Sequence, residues 1–237
     1  MDISTDQTIF WQWGFVKVNA TLVYSWIVMA ILVLISWLAT RNLSTGREIS
    51  RWQNLLEATV VFVQEQVRDI IHFEPLRHVP FIGSLLLFVS VSNFLSFVPG
   101  YHPPTGSLST TAGLAAVVFL AVPYYSIRHA GVKAYLRHYI EPTPFVLPFQ
   151  IISEFSRTIA MAVRLFGNVM SGTMIGAILL MVIPLFFPVV MQALELLIGQ
   201  VQAYIFGVLA AVYIGSGVRR QHEQEQKSAD NEGNSED

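Results

Sequence analysis

From Phe145 to Val218 the chain runs for 74 residues with only four charged side chains, Glu154, Arg157, Arg164 and Glu195. Ordinary soluble domains carry about 25% charged residues, so a stretch this long and this uncharged belongs in lipid. Pro184 and Pro188 divide it into segments of roughly 35 and 30 residues, which as helices would measure about 52 and 45 Å. The hydrocarbon core of a bilayer is only about 30 Å thick. Extension into water would expose apolar surface, so the stretch is expected to form a strongly tilted helical hairpin over about 145–218.

The rest of the chain fits the same solvent, with 53% of all 237 residues hydrophobic and 13% charged. Uncharged or nearly uncharged runs of spanning length cover Val18–Thr40, Pro80–Val98 and Thr111–Ile127. The first stops at Arg41, and PGYHPPTGSLST is a Pro/Gly turn region between the other two. Residues 52–71 read differently. Trp52, Leu55, Leu56, Val60, Val63, Val67 and Ile70 fall on one helical face, while Gln53, Glu57, Gln64, Gln66 and Arg68 lie mostly away from it. That pattern predicts an amphipathic helix at the membrane surface. The expected fold class is an all-α integral membrane protein of about five membrane helices. Residues 1–220 would form one membrane domain, and 221–237, with six acids against one lysine, a disordered tail.

Lys and Arg placement sets the orientation. With the N-terminus outside, the inner segments hold eleven of the basic residues and the outer segments only Lys17, Arg157 and Arg164 staying in the membrane. The C-terminus is therefore expected in the cytoplasm. The absence of cysteine excludes disulfide scaffolds, thiolate metal sites and cysteine nucleophiles. No basic run suits nucleic acid, and the start MDISTDQTIF lacks the basic region of a secretory signal. No nucleophile elbow, phosphate loop or zinc-ligand spacing is visible. The reading therefore expects no catalytic residue, no metal and no cofactor. His72, His78, His102, His129 and His138 lie in loops or at span ends and are expected to be exposed.

An ionisable side chain inside a span costs at least about 2.5–3.5 kcal/mol on insertion scales, which marks it as a functional candidate. Arg164 sits some fifteen residues into the first long helix, and arginine cannot release its proton. It needs a negative partner: either Glu195 within the chain, as a structural ion pair, or an anion outside it. Arg157, Met161, Arg164 and Asn168 share a stripe on the first long helix, and Glu195, Gly199, Gln202 and Phe206 share one on the second. Glycines at 167, 172, 176, 199 and 207 permit close helix approach. Two facing polar stripes suggest a polar path or an interface for an anionic partner. Glu154 and Arg157, near the start of their helix, fit either an aqueous entrance or a partly solvated pair.

The motif RLFGN at Arg164, followed by a small-residue run and by QAYIF, resembles subunit a of F-type ATP synthases. The likeness takes in VSNFLSFVPGYHPPTGSLSTT, LPFQIISEFSRTIAMAVRLFGN and GQVQAYIFGVLAAVYIG, and so covers most of the chain. The resemblance implies a non-catalytic membrane stator beside a rotating ring of c subunits, each with an intramembrane carboxylate. It implies b-type peripheral stalk subunits and the remaining synthase subunits as further partners, in a bacterial inner membrane and its lipid. Two half-channels would deliver an ion to the ring carboxylate and take it away again. The family's essential arginine falls on Arg164, a family glutamine on Gln202, and a half-channel Glu or His on Glu195. Asn168 belongs to the arginine's motif.

The sequence departs from the family at Thr173, where many members carry Glu or His. Threonine cannot titrate. A proton path would then use Glu195 and water, whereas Thr173 and Ser171 would suit sodium, a hard cation, as in the alternate N-type ATPases. Proton is the expected coupling ion and sodium the alternative. A stand-alone channel or secondary transporter would explain the buried charges but not the two overlong helices or the RLFGN motif. An intramembrane enzyme should show a dyad or metal ligands.

Overall fold

The computed structural model describes residues 9–13, 16–41, 51–71, 74–98, 100–140, 146–182 and 187–233. Among the described residues six α-helices carry the fold: α1 (Ala20–Thr40), α2 (Arg51–Ile70), α3 (Pro75–Leu95), α4 (Leu108–Ile140), α5 (Val146–Val182) and α6 (Phe187–Gly233). Five of them contain segments long and apolar enough to cross a membrane: Ala20–Leu38, Pro75–Leu95, Leu108–Arg128, Pro148–Met181 and Val189–Gly217. The chain is an all-α integral membrane protein. The last two segments, of 34 and 29 residues, exceed the roughly 20 needed for a perpendicular crossing. At 1.5 Å per residue they must tilt by about 50° to stay within hydrocarbon.

Three details depart from the sequence expectations. A short antiparallel hairpin, β1 (Ile9–Trp13) with β2 (Val16–Asn19), precedes α1 and pairs Trp11 with Val18 and Trp13 with Val16. Its aromatic and β-branched residues favour strand, and they take Val18 from the expected first span. Helix α3 starts at Pro75 instead of Pro80. Proline suits the first helical position, where no N–H bond is lost, and Glu74 turns the chain into it from a left-handed conformation at φ 43°. Arg77 closes on Glu74 at 3.1 Å in that first turn. Helix α6 continues through the acidic segment to Gly233, whose Glu, Gln and Lys are good helix formers. Within its length, helix α4 kinks at Gly131, where φ is 82°. Only glycine takes that conformation at low cost, and it falls just past the end of the apolar span.

Helix α6 is the centre of the bundle. One core cluster joins Leu85 and Val89 of α3, Ala115 and Val118 of α4, Met161, Ala162 and Leu165 of α5, and Ala203, Phe206 and Ala210 of α6. A second joins Val63, Val67 and Ile71, at the end of α2, to Ile82, Ala121, Val122, Ala211 and Ile214. The α2 stripe therefore divides: Val63 and Val67 are buried against the other helices, while Leu55 and Val60 stay exposed. The Tyr204 hydroxyl donates to Gln66 Oε1 at 2.5 Å, tying α2 to α6.

In lipid, helices gain little from hiding apolar surface from one another and rely on close contact and interhelical hydrogen bonds. Both are present where α6 meets α3. A Cβ at Gly199 would lie 3.2 Å from Asn93, and one at Gly207 3.0 Å from Leu86 Cδ1. Asn93 Nδ2 donates to the Gly199 carbonyl at 2.7 Å, and Asn93 Oδ1 accepts from Thr105 at 3.4 Å. Ser90 and Gln200 exchange hydrogen bonds, the hydroxyl donating to Gln200 Oε1 and Gln200 Nε2 to the Ser90 carbonyl. At the same end, Tyr24 of α1 donates to the Gly100 carbonyl at 3.2 Å and packs edge-on against Tyr101. Burial pushes the Tyr101 hydroxyl up to about 12, with the nearby Ser92 hydroxyl opposing the shift.

Replacing Gly207 with Val should drive α6 off Leu86 and cost about 1–3 kcal/mol, the range for overpacking a filled core. The check is thermal unfolding of the purified protein in detergent, where the midpoint should fall clearly below that of the parent.

Candidate functional site

Helix α5 has two unlike faces. Met161, Ala162, Leu165 and Val169 are buried, with Leu165 at 0% exposure, while Ile159, Val163, Met174, Ile175 and Ile178 are exposed. Arg157 and Arg164 are exposed along the edge between these faces, and Asn168 is half-buried beside them. Two contacts fix how this edge meets α6. A Cβ at Gly172 would lie 2.7 Å from Glu195 Oε1 and 2.8 Å from its Cδ, so the carboxyl group lies directly on α5 where a side chain is missing. At the other end, the Arg157 guanidinium carbon stands 5.7 Å from the Tyr213 ring centroid.

Those contacts set the antiparallel register of the seam. Glu195, Gln202 and Tyr213 share one face of α6, being separated by multiples close to the 3.6-residue turn. Interpolating between the contacts brings Gln202, 8% exposed, to the level of residues 165–168 of α5. The structure therefore gathers Arg157, Arg164, Asn168 and Gly172 on one side of the seam, with Tyr213, Gln202 and Glu195 on the other.

Arg164 forms no ion pair with Glu195. Glu195 sits opposite Gly172, eight residues further on, which is about 12 Å along the helix. Among the described residues Arg164 has no ion-pair partner, the one salt bridge there being Arg77–Glu74. The guanidinium is instead presented at the open face of α5. Of the two partners the sequence allowed, Glu195 is therefore not the one that Arg164 pairs with.

The two hydroxyl residues do not share a direction. Ser171 Oγ donates to the Asn168 carbonyl at 3.1 Å and Thr173 Oγ1 to the Met170 carbonyl at 2.9 Å, as such residues commonly do within helices. Two residues apart is about 200° around the axis. Ser171 lies on the Arg164 side and Thr173 on nearly the opposite one, though both are exposed.

Each end of the seam is polar. At one end Glu195 lies near the Asn93–Gly199 and Ser90–Gln200 bonds. At the other, Glu154, Arg157, Thr158, Tyr213, Ser216 and Gly217 line a cavity of about 40 Å³. A water needs about 10–15 Å³ by that measure, so there is room for one or a few. Between the ends Met161, Leu165 and Phe206 form a buried apolar block, and Arg164 and Gln202 lie at its level. Among the described residues no group of three His, Asp or Glu side chains could hold a metal ion.

Sequence reasoning missed Ser90, Asn93, Gln200 and Tyr213. Asn93 and Gln200 carried a usable signal, since an amide within an apolar span needs partners there. His78 corrects an expectation of exposure: it is 0% exposed. The early start of α3 puts it in the first turn, where Nδ1 lies 3.1 Å from the Glu74 carbonyl oxygen and the ring packs 4.6 Å from that of Tyr125. His102 is exposed. His72, His129 and His138 lie outside the side chains described.

A helical membrane protein whose long tilted pair holds a fixed cation between two polar ends is built to handle ions or charged groups within the bilayer. Comparison with known proteins gives the family. The family model described as ATP synthase A chain matches residues 22–215. "ATP synthase subunit a 2" of Acaryochloris marina is 56% identical over 216 residues, covering 91% of this chain and 92% of that protein. "ATP synthase subunit a" of Nitrosospira multiformis is 55% identical, over 91% of this chain and 86% of its own. "ATP synthase subunit a 1" of Chlorobium luteolum is 51% identical over 94% of this chain and 100% of its own. The chain belongs to the ATP synthase A chain family, the non-catalytic stator subunits of the membrane sector.

The Glu195–Gly172 contact leaves no room for a methyl group. Gly172→Ala should displace the carboxyl group and lower ion transport by the assembled complex, and adding Glu195→Asp, one methylene shorter, should restore part of it. The measurement is ATP-driven ion uptake by vesicles at matched levels of assembled complex.

Proposed function

We propose that this subunit passes protons to and from the carboxylates of a c-subunit ring through two half-channels, one at each polar end of the α5–α6 seam. The observation that carries the proposal is Arg164, a permanent cation at the open face of α5, unpaired within the described chain. A fixed guanidinium stabilises an ionised carboxylate brought up to it and favours release of that carboxylate's ion. The same charge repels cations that would leak straight from one half-channel to the other. Lysine would serve poorly, because a buried ammonium can lose its proton. A single charge crossing 100 mV yields about 2.3 kcal/mol, which is the work available per ion for rotation.

In this reading Glu195, seated on Gly172 and reached through the polar groups around Asn93 and Ser90, serves one half-channel. The cavity between Glu154, Arg157 and Tyr213 serves the other. Gln202 and Asn168 flank Arg164 and supply amides at the ring carboxylate's level. The N-terminus lies outside and the C-terminus in the cytoplasm of a bacterial inner membrane, with residues 52–71 near its surface and b-type stalk subunits among the partners. Sodium is the second reading, favoured by the exposed Ser171 hydroxyl on the Arg164 side of α5, whose proton is already committed to the helix and whose lone pairs remain for a hard cation; Thr173, on nearly the opposite side, would not share that ion.

Arg164→Ala should abolish ATP-driven ion uptake by the complex in liposomes while leaving assembly largely intact; undiminished uptake would sink the proposal. Glu195→Gln should slow uptake less completely, and no change would remove Glu195 from the path. Acidification that needs no sodium and collapses with a protonophore identifies protons. Sodium uptake that survives the protonophore identifies sodium.

A further inference from the structure

Arg157 costs an apolar helix as much as Arg164 does, yet it stands two turns away from the middle of the seam. Its guanidinium lies over the face of Tyr213 at 5.7 Å, inside the distance of about 6 Å at which a ring attracts a cation. Both side chains line the cavity at the N-terminal end of α5, with Glu154, Thr158 and Ser216 as further polar walls and Met161, Val118 and Val122 closing it toward the core. A Cβ on Gly217 would meet Ser126 Oγ at 2.7 Å, so this end of α6 sits tight against α4. The cavity's width is thereby set by packing, and its charge by where Arg157 is held relative to the Glu154 carboxylate on the same wall.

Resting on the stator reading above, we propose that Arg157, held in place by the Tyr213 ring, is a second fixed cation that screens this cavity, limiting ion passage to ions exchanged with the ring. An exposed arginine has many rotamers, and ordering it costs entropy; the ring face supplies the compensating attraction. Seven residues separate Arg157 from Arg164, about 10 Å along the helix. That is close to the Debye length of about 8–10 Å in salt solution, and screening is weaker still beside a low-dielectric wall. A cation that enters beside Glu154 therefore meets Arg157 first and Arg164 beyond it. Its passage past Arg157 is favoured only when a ring carboxylate adds to Glu154 in offsetting the positive potential. Arg157 acts here as a selectivity residue and Tyr213 as the residue that positions it.

The test uses the whole complex in liposomes and measures, without nucleotide, how fast an imposed gradient of protons or of sodium decays. Arg157→Gln should speed the decay several-fold and lower the number of ions moved per ATP when nucleotide is added. Tyr213→Phe keeps the ring face and should match the parent; Tyr213→Leu should leak like Arg157→Gln. The double variant Arg157→Gln with Tyr213→Leu should leak no faster than Arg157→Gln alone, since both remove one interaction. Parent-like decay in Arg157→Gln, equal leak in Tyr213→Phe and Tyr213→Leu, or additive leak in the double variant would overturn the proposal. If Tyr213→Leu fails to assemble, Arg157→Lys replaces it. It keeps the charge on a weaker stack, so an intermediate decay is expected, and decay equal to Arg157→Gln overturns the proposal. Arg164→Ala serves as the control for the reading beneath: intact ATP-driven uptake there rejects the stator reading itself, whereas its loss with silent Arg157 variants rejects only the screen.

Discussion

A guanidinium that can never be neutralised, held within an apolar helix, is the constraint around which the structure is arranged. Arg164 gains nothing from lipid and has no carboxylate within the described chain to pair with. Its position is tolerable only if the helix carrying it is firmly anchored and if polar groups or a negative partner meet it in the membrane. The buried face of α5, Met161, Ala162, Leu165 and Val169, supplies the anchor, and it leaves the arginine on the edge between that face and the open one. The fold holds the charge where water and lipid alone would not.

Anchoring depends in turn on α6. Its glycines and alanines let α3, α4 and α5 approach to contact, with Gly199 and Gly207 against Asn93 and Leu86 on one side and the Gly172–Glu195 contact on the other. Hydrogen bonds from Asn93 and Gln200 cross the same interface. In a medium where apolar contact is worth little by itself, this mixture of close approach and satisfied polar groups holds α6 to α3, while the Gly172–Glu195 and Arg157–Tyr213 contacts set its register with α5. Register matters because it decides what stands opposite what. A slip of one turn would take Glu195 off Gly172 and Tyr213 away from Arg157.

Much of this was legible in the sequence because lipid imposes simple rules. The five spans, the overlong final pair, and Arg164, Glu195 and Gln202 as the polar features of that pair all follow from charge scarcity and helical spacing. What was not legible depended on contacts between distant segments. The burial of His78 requires knowing that Pro75, not Pro80, opens α3 and that Tyr125 waits across from it. The Arg164–Glu195 ion pair looks reasonable on spacing alone, and only the register of the hairpin separates the two groups. Ser171 and Thr173 look like one patch in the sequence and face opposite ways on the helix. Asn93 could have been found, since an amide in an apolar span demands a partner, but nothing in the sequence names that partner as Gly199.

On the proposed function, the open edge of α5 bearing Arg164 is the surface that would meet the ring. The chain has no cysteine, so single-cysteine variants report contact cleanly. Ala160→Cys and Ser171→Cys lie on the exposed side of α5, and Ala162→Cys lies on its buried side. Each would be paired with a cysteine placed beside the carboxylate of the ring helix, and disulfide formation measured in membranes holding the whole complex. Cross-links are expected from 160 and 171 and none from 162. Cross-linking from 162, with none from the other two, would contradict the proposal.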